Sequence, residues 1–216
     1  MNRKSVYVIG AGGHAKVVMH SLRRADVRVE AVFDDRPDLW DRPFCGTPVL
    51  GPIERIVNMP SLPAVVAIGD NLCRRKIAEQ WNFEWFTLID PQAVVMPDAE
   101  IGPGTVVFPG AIVQTGARLG RHVIVNNAAT VDHDCVVGDY VHLAPGVHLA
   151  GKVTIEEGAF LGIGSAVIPN ITVGAWSLVG AGSAVVRNMP SGVVAYGNPA
   201  RPRRARSDDD HFGPKH

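Results

Sequence analysis

Residues 107 to 137 read VFPGAIVQTGARLGRHVIVNNAATVDHDCVV and repeat with a period of six. Val107, Val113, Leu119, Val125, Val131 and Val137 fall in register, and the series runs unbroken outward from Val95 to Val185 through Ile101, Leu143, Leu149, Ile155, Leu161, Val167, Val173 and Val179. Four places after each comes a small or β-branched residue, among them Ala111, Ala117, Val123, Ala129 and Cys135. A period of six matches neither the ~3.6 of a helix nor a free-running alternation of two. It fits a solenoid of parallel strands in which each flat face takes one hexad, large aliphatic inward and small residue near the corner.

This pattern resembles the hexapeptide-repeat left-handed parallel β-helix, with three hexads to a triangular coil. Val95 to Ala184 then makes five coils of 18 residues, a prism roughly 24 Å tall at a strand spacing of about 4.8 Å. Positions 18 apart stack in columns. His133 has Gly151 above it, which predicts open space beside the imidazole. His142 lies half a coil from His133, so the two meet in one site only if a neighbouring subunit supplies one of them. The columns Asn126, Ala144, Gly162, Gly180 and Asn127, Pro145, Ile163, Ala181 read as the wall of a groove where a ligand lies on backbone amides.

Up to about residue 90 the grammar is different. VYVIG ends in glycines, HAKVVMHSLRRA places Val17, Val18, Ser21 and Leu22 near one helical face, and VRVEAVFDD returns to strand: a βαβ unit. PAVVAI, the turn Gly69-Asp70-Asn71, a helix over LCRRKIAEQW and a closing strand WFTLI complete a small parallel sheet flanked by helices. GAGGHA, residues 10 to 15, follows a strand and opens a helix, with Asp34 and Asp35 further on, as in a dinucleotide-binding turn. Such a turn brings helix N–H groups to a phosphate. About 90 residues cannot hold two mononucleotide halves, so a nucleotide-linked substrate suits the length better than NAD. Arg74 and Arg75 fall just beyond the second turn on the same sheet edge. His20, His122 and His148 read as surface residues.

Composition limits the alternatives. Hydrophobic residues make up 46%, charged residues 19%, and the formal net charge is zero. No global electrostatic signature of nucleic-acid or anionic-membrane binding exists, so a small-molecule substrate is the default. Cys45, Cys73 and Cys135 lack metal-type spacing, the N-terminus MNRKSVYVIGAGG lacks an apolar signal core, and no apolar run reaches bilayer length. A cytoplasmic protein with reduced thiols is expected.

A Rossmann-like cap (1–90) joined to a left-handed β-helix (91–186), a cap segment (187–204) and a disordered tail (205–216), carrying DHDCVVGDYVHLAPGVHLAGKV, FLGIGSAVIPN and GNPAR, resembles the bacterial nucleotide-sugar N-acetyltransferases. The resemblance covers the chain to about Arg204. It implies acetyl-CoA as co-substrate with no metal, a homotrimer binding acetyl-CoA between adjacent prisms, and acetylation of the 4-amino group of a UDP- or GDP-linked amino-dideoxy sugar in surface-polysaccharide biosynthesis. By the same resemblance His133 is the general base and Asp134, where a glutamate is usual, its acidic partner, with Asp132 the alternative. His142 lies near the thioester, Gly151, Ile163 and Ala181 lie along the pantetheine path, and Gly12, Gly13, His14, Asp34, Asp35 and Gly69 contact the nucleotide sugar.

An amine attacks a thioester only when uncharged, so an imidazole titrating near ambient pH suits the base. No candidate nucleophile has a base beside it, which favours direct transfer without an acyl-enzyme. Three rivals share the prism or the turn. Sialic acid O-acetyltransferases are the nearest. A metal enzyme of the γ-carbonic-anhydrase type would draw on His122, His142 and His148, although one hexad separates the last two. A nucleotide-binding module without chemistry would release no thiol.

Overall fold

The computed structural model describes residues 4–207 and 210, so the expectation of a disordered tail falls mostly outside the described residues. At the N-terminus β1 (Ser5–Ile9) lies between β2 (Arg28–Phe33) and β5 (Ala64–Val66), all parallel, after a short hairpin of β3 (Pro43–Phe44) and β4 (Thr47–Pro48). Helix α1 (Gly13–Arg24) turns Ala15, Val18, Met19 and Leu22 onto this sheet, the apolar stripe its sequence provides. Helix α2 (Asn71–Gln80) differs, because the residues it buries are the polar Asn71 and Arg74. No helix among the described residues is long and apolar enough to cross a membrane.

The remainder is the left-handed β-helix. Two-residue strands stack in parallel on three faces, pairing residues 18 apart, as in Ile112 with Thr130 and Ile124 with His142. The second residue of each strand is the in-register aliphatic, and from Val107 to Val185 this column is buried together with the small residues that follow. Removal of these side chains from water, about 25 cal/mol per Å² of apolar surface, is the main force holding the coils together. Every sixth residue from Gly104 to Gly182 has positive φ, including Gly116, His122, Asp134, Tyr140, Lys152 and Trp176 at 53° to 68°. These are the corners, where the chain turns between faces.

Two sequence expectations need adjustment. WFTLI does not close the N-terminal sheet: Leu88–Ile89 (β6) pairs with Val106–Val107 as the first rung of a solenoid face, and Trp85 makes only an isolated bridge to Ala64. The five-coil count is therefore short, since one face carries a six-stranded sheet and another continues through Val193–Gly197 into the antiparallel Ala200–Ala205. On the face bearing Val106, Ile124, His142 and Phe160, the chain's own N-terminal domain packs on Val106 and Ile124 and meets His142 through His14 and Gly69.

Candidate active site

The seam between the two domains opens into a cleft of about 730 Å³, lined by the glycine turn Gly10 to His14, by Asp34, Asp35 and Arg36, by Ile68, Gly69, Asp70, Cys73 and Lys76, and by His142 from the prism. Gly10, at φ +104°, is required by the fold itself, because a Cβ there would lie 2.9 Å from Ile68 Cγ1. Gly12 and Gly13 are different: a Cβ on either would meet nothing within 4 Å. Their bareness leaves room for a ligand to approach the backbone. Helix α1 starts at this point with no side-chain cap, whereas the Asp70 carboxylate caps α2 by accepting from Cys73 N at 2.8 Å. Of the two helix N-termini at this edge, α1 is the one that keeps its amides for an anion.

Asp34 takes part in building the turn. Its Oδ2 accepts from Ala11 N at 2.8 Å and from Arg36 Nη2 at 3.0 Å, and its Oδ1 accepts from the backbone and Nε of Arg36 at 3.0 and 2.9 Å. Burial alone would raise its pKa, but these bonds hold the carboxyl below its ordinary value. Asp34 thus ties the glycine turn to β2 and aims Arg36 at the cleft. Asp35 accepts from Ile53 N through Oδ1 at 2.9 Å and remains a cleft-lining carboxylate. Arg36 and Lys76 are cations of this rim that the motif alone did not single out; an Asp-x-Arg turn after a strand was the available signal.

His142 is 8% exposed. Its tautomer follows from its neighbours. A carbonyl can only accept, so Nδ1, 3.2 Å from Gly69 O, carries the hydrogen. Asn127 N donates to Asn126 Oδ1 at 2.8 Å, which turns the Asn126 amide nitrogen toward His142 Nε2 at 3.2 Å. His14 packs 6.1 Å from His142, ring to ring, and its buried Nε2 has no hydrogen-bond partner among the described residues. Burial, reinforced by the Arg74 charge, lowers His14 to about 4 and His142 well below the ordinary value, so both are neutral at neutral pH.

His133 sits on another flank. Its backbone N–H donates to Asp132 Oδ1 at 2.7 Å and its Nδ1 lies 2.9 Å from Asp134 Oδ2. Asp134 rather than Asp132 therefore orients the ring. The corner φ of Asp134, +58°, helps to bring this shorter carboxylate back to its neighbour. The space over Gly151 is not empty as the column predicts: the imidazole fills it, and a Cβ on Gly151 would lie 2.4 Å from His133 Nε2. His133 does not line the cleft that holds His14 and His142.

The groove expectation divides in two. Gly162 and Gly180 are small because a Cβ would meet Ala181 N at 2.6 Å and Tyr196 Cβ at 2.8 Å, so this column serves coil stacking. The neighbouring corner is open: Ile163 is 62% exposed, Ala181 is exposed, and a Cβ on Gly164 or Gly182 would meet nothing within 4 Å. An apolar ridge beside bare backbone is left at this corner.

Two further expectations are corrected. His122 is buried, stacked on Tyr140 and edge-on to Trp85, because its face of the prism is roofed by the N-terminal domain. With His142 in the cleft and the exposed His148 bonded to Thr130 Oγ1 at 2.9 Å, the histidines of the metal-enzyme reading occupy three separate environments within one chain. Among the described residues no group of three or more His, Cys, Asp or Glu is placed to hold a metal ion. Arg74 is not a free cation beyond the second turn but a buried one beneath it.

Residues 5–81 match the PglD N-terminal domain family. A GDP-perosamine N-acetyltransferase of Escherichia coli is 37% identical over 144 residues, covering 63% of this chain and 65% of that protein. A UDP-N-acetylbacillosamine N-acetyltransferase of Bacillus subtilis is 42% identical over 111 residues, covering 48% of this chain and 50% of that one. The chain thus aligns with less than two thirds of these curated relatives. Solved structures match over nearly their whole length. PerB from Caulobacter crescentus, in complex with CoA and GDP-perosamine, is 41% identical with a TM-score of 0.86, over 92% of this chain and 97% of that one. The acetyltransferase domain of PglB from Neisseria gonorrhoeae, in complex with acetyl coenzyme A, is 38% identical with a TM-score of 0.87, over 94% and 100%. With a glycine-turn domain, a left-handed prism and these relatives in common, the chain belongs to the family of nucleotide-sugar N-acetyltransferases that draw on acetyl-CoA.

Proposed function

We propose that the chain transfers the acetyl group of acetyl-CoA to the amino group, at C4, of an amino-dideoxy sugar linked to UDP or GDP, and that it does so as a homotrimer with active sites between subunits. The observation that carries this reading is the His133–Asp134 pair, Nδ1 to Oδ2 at 2.9 Å, on an exposed flank. With its Nδ1 hydrogen committed to the carboxylate, the ring presents the Nε2 lone pair as base. It takes a proton from the sugar amine as nitrogen attacks the thioester carbonyl. Asp134 stabilises the imidazolium, which returns the proton to the departing CoA thiolate.

The nucleotide sugar enters the domain cleft with its diphosphate on the α1 N-terminus, near Gly12, Gly13 and Lys76, and its nucleoside toward Asp35 and Arg36. The pantetheine runs along Ile163 and Ala181. His133 lies outside the cleft of its own chain, which supports a trimer in which one subunit supplies the base and its neighbour supplies His14 and His142. The GDP-perosamine and CoA bound to the Caulobacter protein support the substrate classes.

The test is a panel of UDP- and GDP-linked amino sugars assayed with acetyl-CoA for thiol release. Stoichiometric CoA and N-acetyl product from at least one member is expected. Absence of release across the whole panel would sink the reading.

A further inference from the structure

Arg74, on α2, is 1% exposed and directs every N–H of its guanidinium at an oxygen. Nε donates to His122 O at 2.8 Å. Nη1 donates to Ile68 O and Gly69 O at 3.1 and 3.2 Å, and Nη2 to Asn71 Oδ1 and Tyr140 O at 2.9 and 2.7 Å. Two of these acceptors are carbonyls of the second βα turn and two are corner carbonyls of the β-helix. One side chain thus sets the spacing of the turn and the prism.

All five acceptors are neutral. The nearby Asp70 charge favours the guanidinium, but a buried cation is a poor way to gain stability, since apolar packing of similar volume commonly does as well or better. What the guanidinium holds is therefore more telling than what it stabilises. The Gly69 carbonyl has two lone pairs; one takes Arg74 Nη1–H and the other takes Nδ1–H of His142, each at 3.2 Å. Asn71, the next member of the cluster, donates to Gly158 O and Ala159 O at 3.1 and 3.2 Å, adjacent to Phe160, against which the His142 ring packs edge-on.

We infer that Arg74 is a positioning residue for the acyl transfer: by clamping the Ile68 and Gly69 carbonyls against the His122 and Tyr140 corners, it holds the Gly69 oxygen where it fixes His142 as the Nδ1–H tautomer in the cleft. Its charge acts in the same direction. His142 faces His14 from α1, Arg74 from α2 and Asn126 and Phe160 from neighbouring coils. After burial itself, Arg74 is the main influence that opposes its protonation. Arg74 touches no reacting atom, and its catalytic relevance rests on the proposed acetyl transfer.

The experiment uses the full chain labelled with ring-15N histidine, as wild type, Arg74→Lys and Arg74→Met. Long-range 1H–15N spectra report the His142 tautomer, and steady-state kinetics with the best amino sugar report kcat and KM. The wild type is expected to show a single Nδ1–H pattern. In Arg74→Met the pattern should pass to mixed tautomers, with kcat lowered about 10-fold or more and KM changed less. Arg74→Lys, which keeps the charge and loses the fork, should fall between. An unchanged His142 tautomer in Arg74→Met, or in Arg74→Lys where the first variant does not fold, overturns the inference whatever the melting temperature does. If the wild type turns over no sugar, the acyl-transfer reading fails on its own, while the spectra still decide whether Arg74 sets the tautomer.

Discussion

His142 Nδ1 donates to the carbonyl oxygen of Gly69 across the domain seam, at 3.2 Å, joining residues 73 positions apart in the chain. The bond makes the cleft a property of the whole molecule: neither the glycine-turn sheet nor the prism contains it alone. His142→Phe tests its weight. Phenylalanine keeps the packing on Phe160 and His14 but removes both ring nitrogens, so Gly69 O and the Asn126 amide each lose a partner. Gly69 O keeps its bond from Arg74, so a stability loss of about 1 kcal/mol is expected from the lost bonds, together with a fall in kcat/KM of about 10-fold or more. Chemical denaturation and the thiol-release assay measure the two separately.

The proposed base, His133, and its partner Asp134 give a second prediction. His133→Ala should lower turnover about 10²-fold or more with little change in melting temperature, since the side chain is half exposed. Asp134→Asn is the sharper variant. Asparagine tolerates the positive φ of +58° at this corner, so the backbone stays while the charge beside Nδ1 disappears. A kcat reduced about 10-fold or more with an unchanged melting curve is expected. An Asp134→Asn protein with wild-type kcat would remove Asp134 from the mechanism.

The prism is legible in the sequence because its rule is local: one aliphatic residue every six and one small residue four places on are each required by the same repeating contact. The His133–Asp134 pair is legible for the same reason, being adjacent in the chain. The seam is not. His122 resembles any polar corner residue until α2 and Trp85 cover its face of the prism, and Arg74 resembles a solvated helix residue until its five acceptors gather from four segments. Gly162 and Gly180 show the opposite failure, where small size suggests a groove and the structure uses it to let coils touch. Gly12 and Gly13, which nothing crowds, leave open space in the cleft instead.

The buried histidines predict an acid limb of stability. Burial lowers His14 and His122 from 6.5 to about 4, and His142 well below its ordinary value. On acidification the unfolded chain takes up these protons first, so stability is complete above about pH 6.5 and is lost as pH falls toward 4. Each histidine contributes a slope of about 1.4 kcal/mol per pH unit within that window. His122→Phe isolates one of them. Both ring nitrogens of His122 are buried without hydrogen-bond partners among the described residues, while the ring packs on Tyr140 and Trp85. The variant should match or exceed wild-type stability at pH 7 and flatten the acid slope by about a third. Urea unfolding midpoints from pH 7 to pH 4.5 supply the comparison.

Gly151 offers the most local test of His133 as the proposed base. Its backbone lies outside the left-handed region, so alanine is conformationally permitted, yet the added Cβ would stand 2.4 Å from His133 Nε2 and 2.6 Å from Cε1. The imidazole is the movable partner, being half exposed and tethered only through its own Asp134 contact. Gly151→Ala should therefore rotate the ring away without disturbing the coil. A kcat lowered by about 10², a melting temperature close to wild type and unchanged binding of UDP or GDP at the distant glycine turn are the expected set. Wild-type kcat in this variant would mean that the ring position over Gly151 has no part in catalysis, and a lost nucleotide affinity would mean that the two half-sites are coupled through the prism.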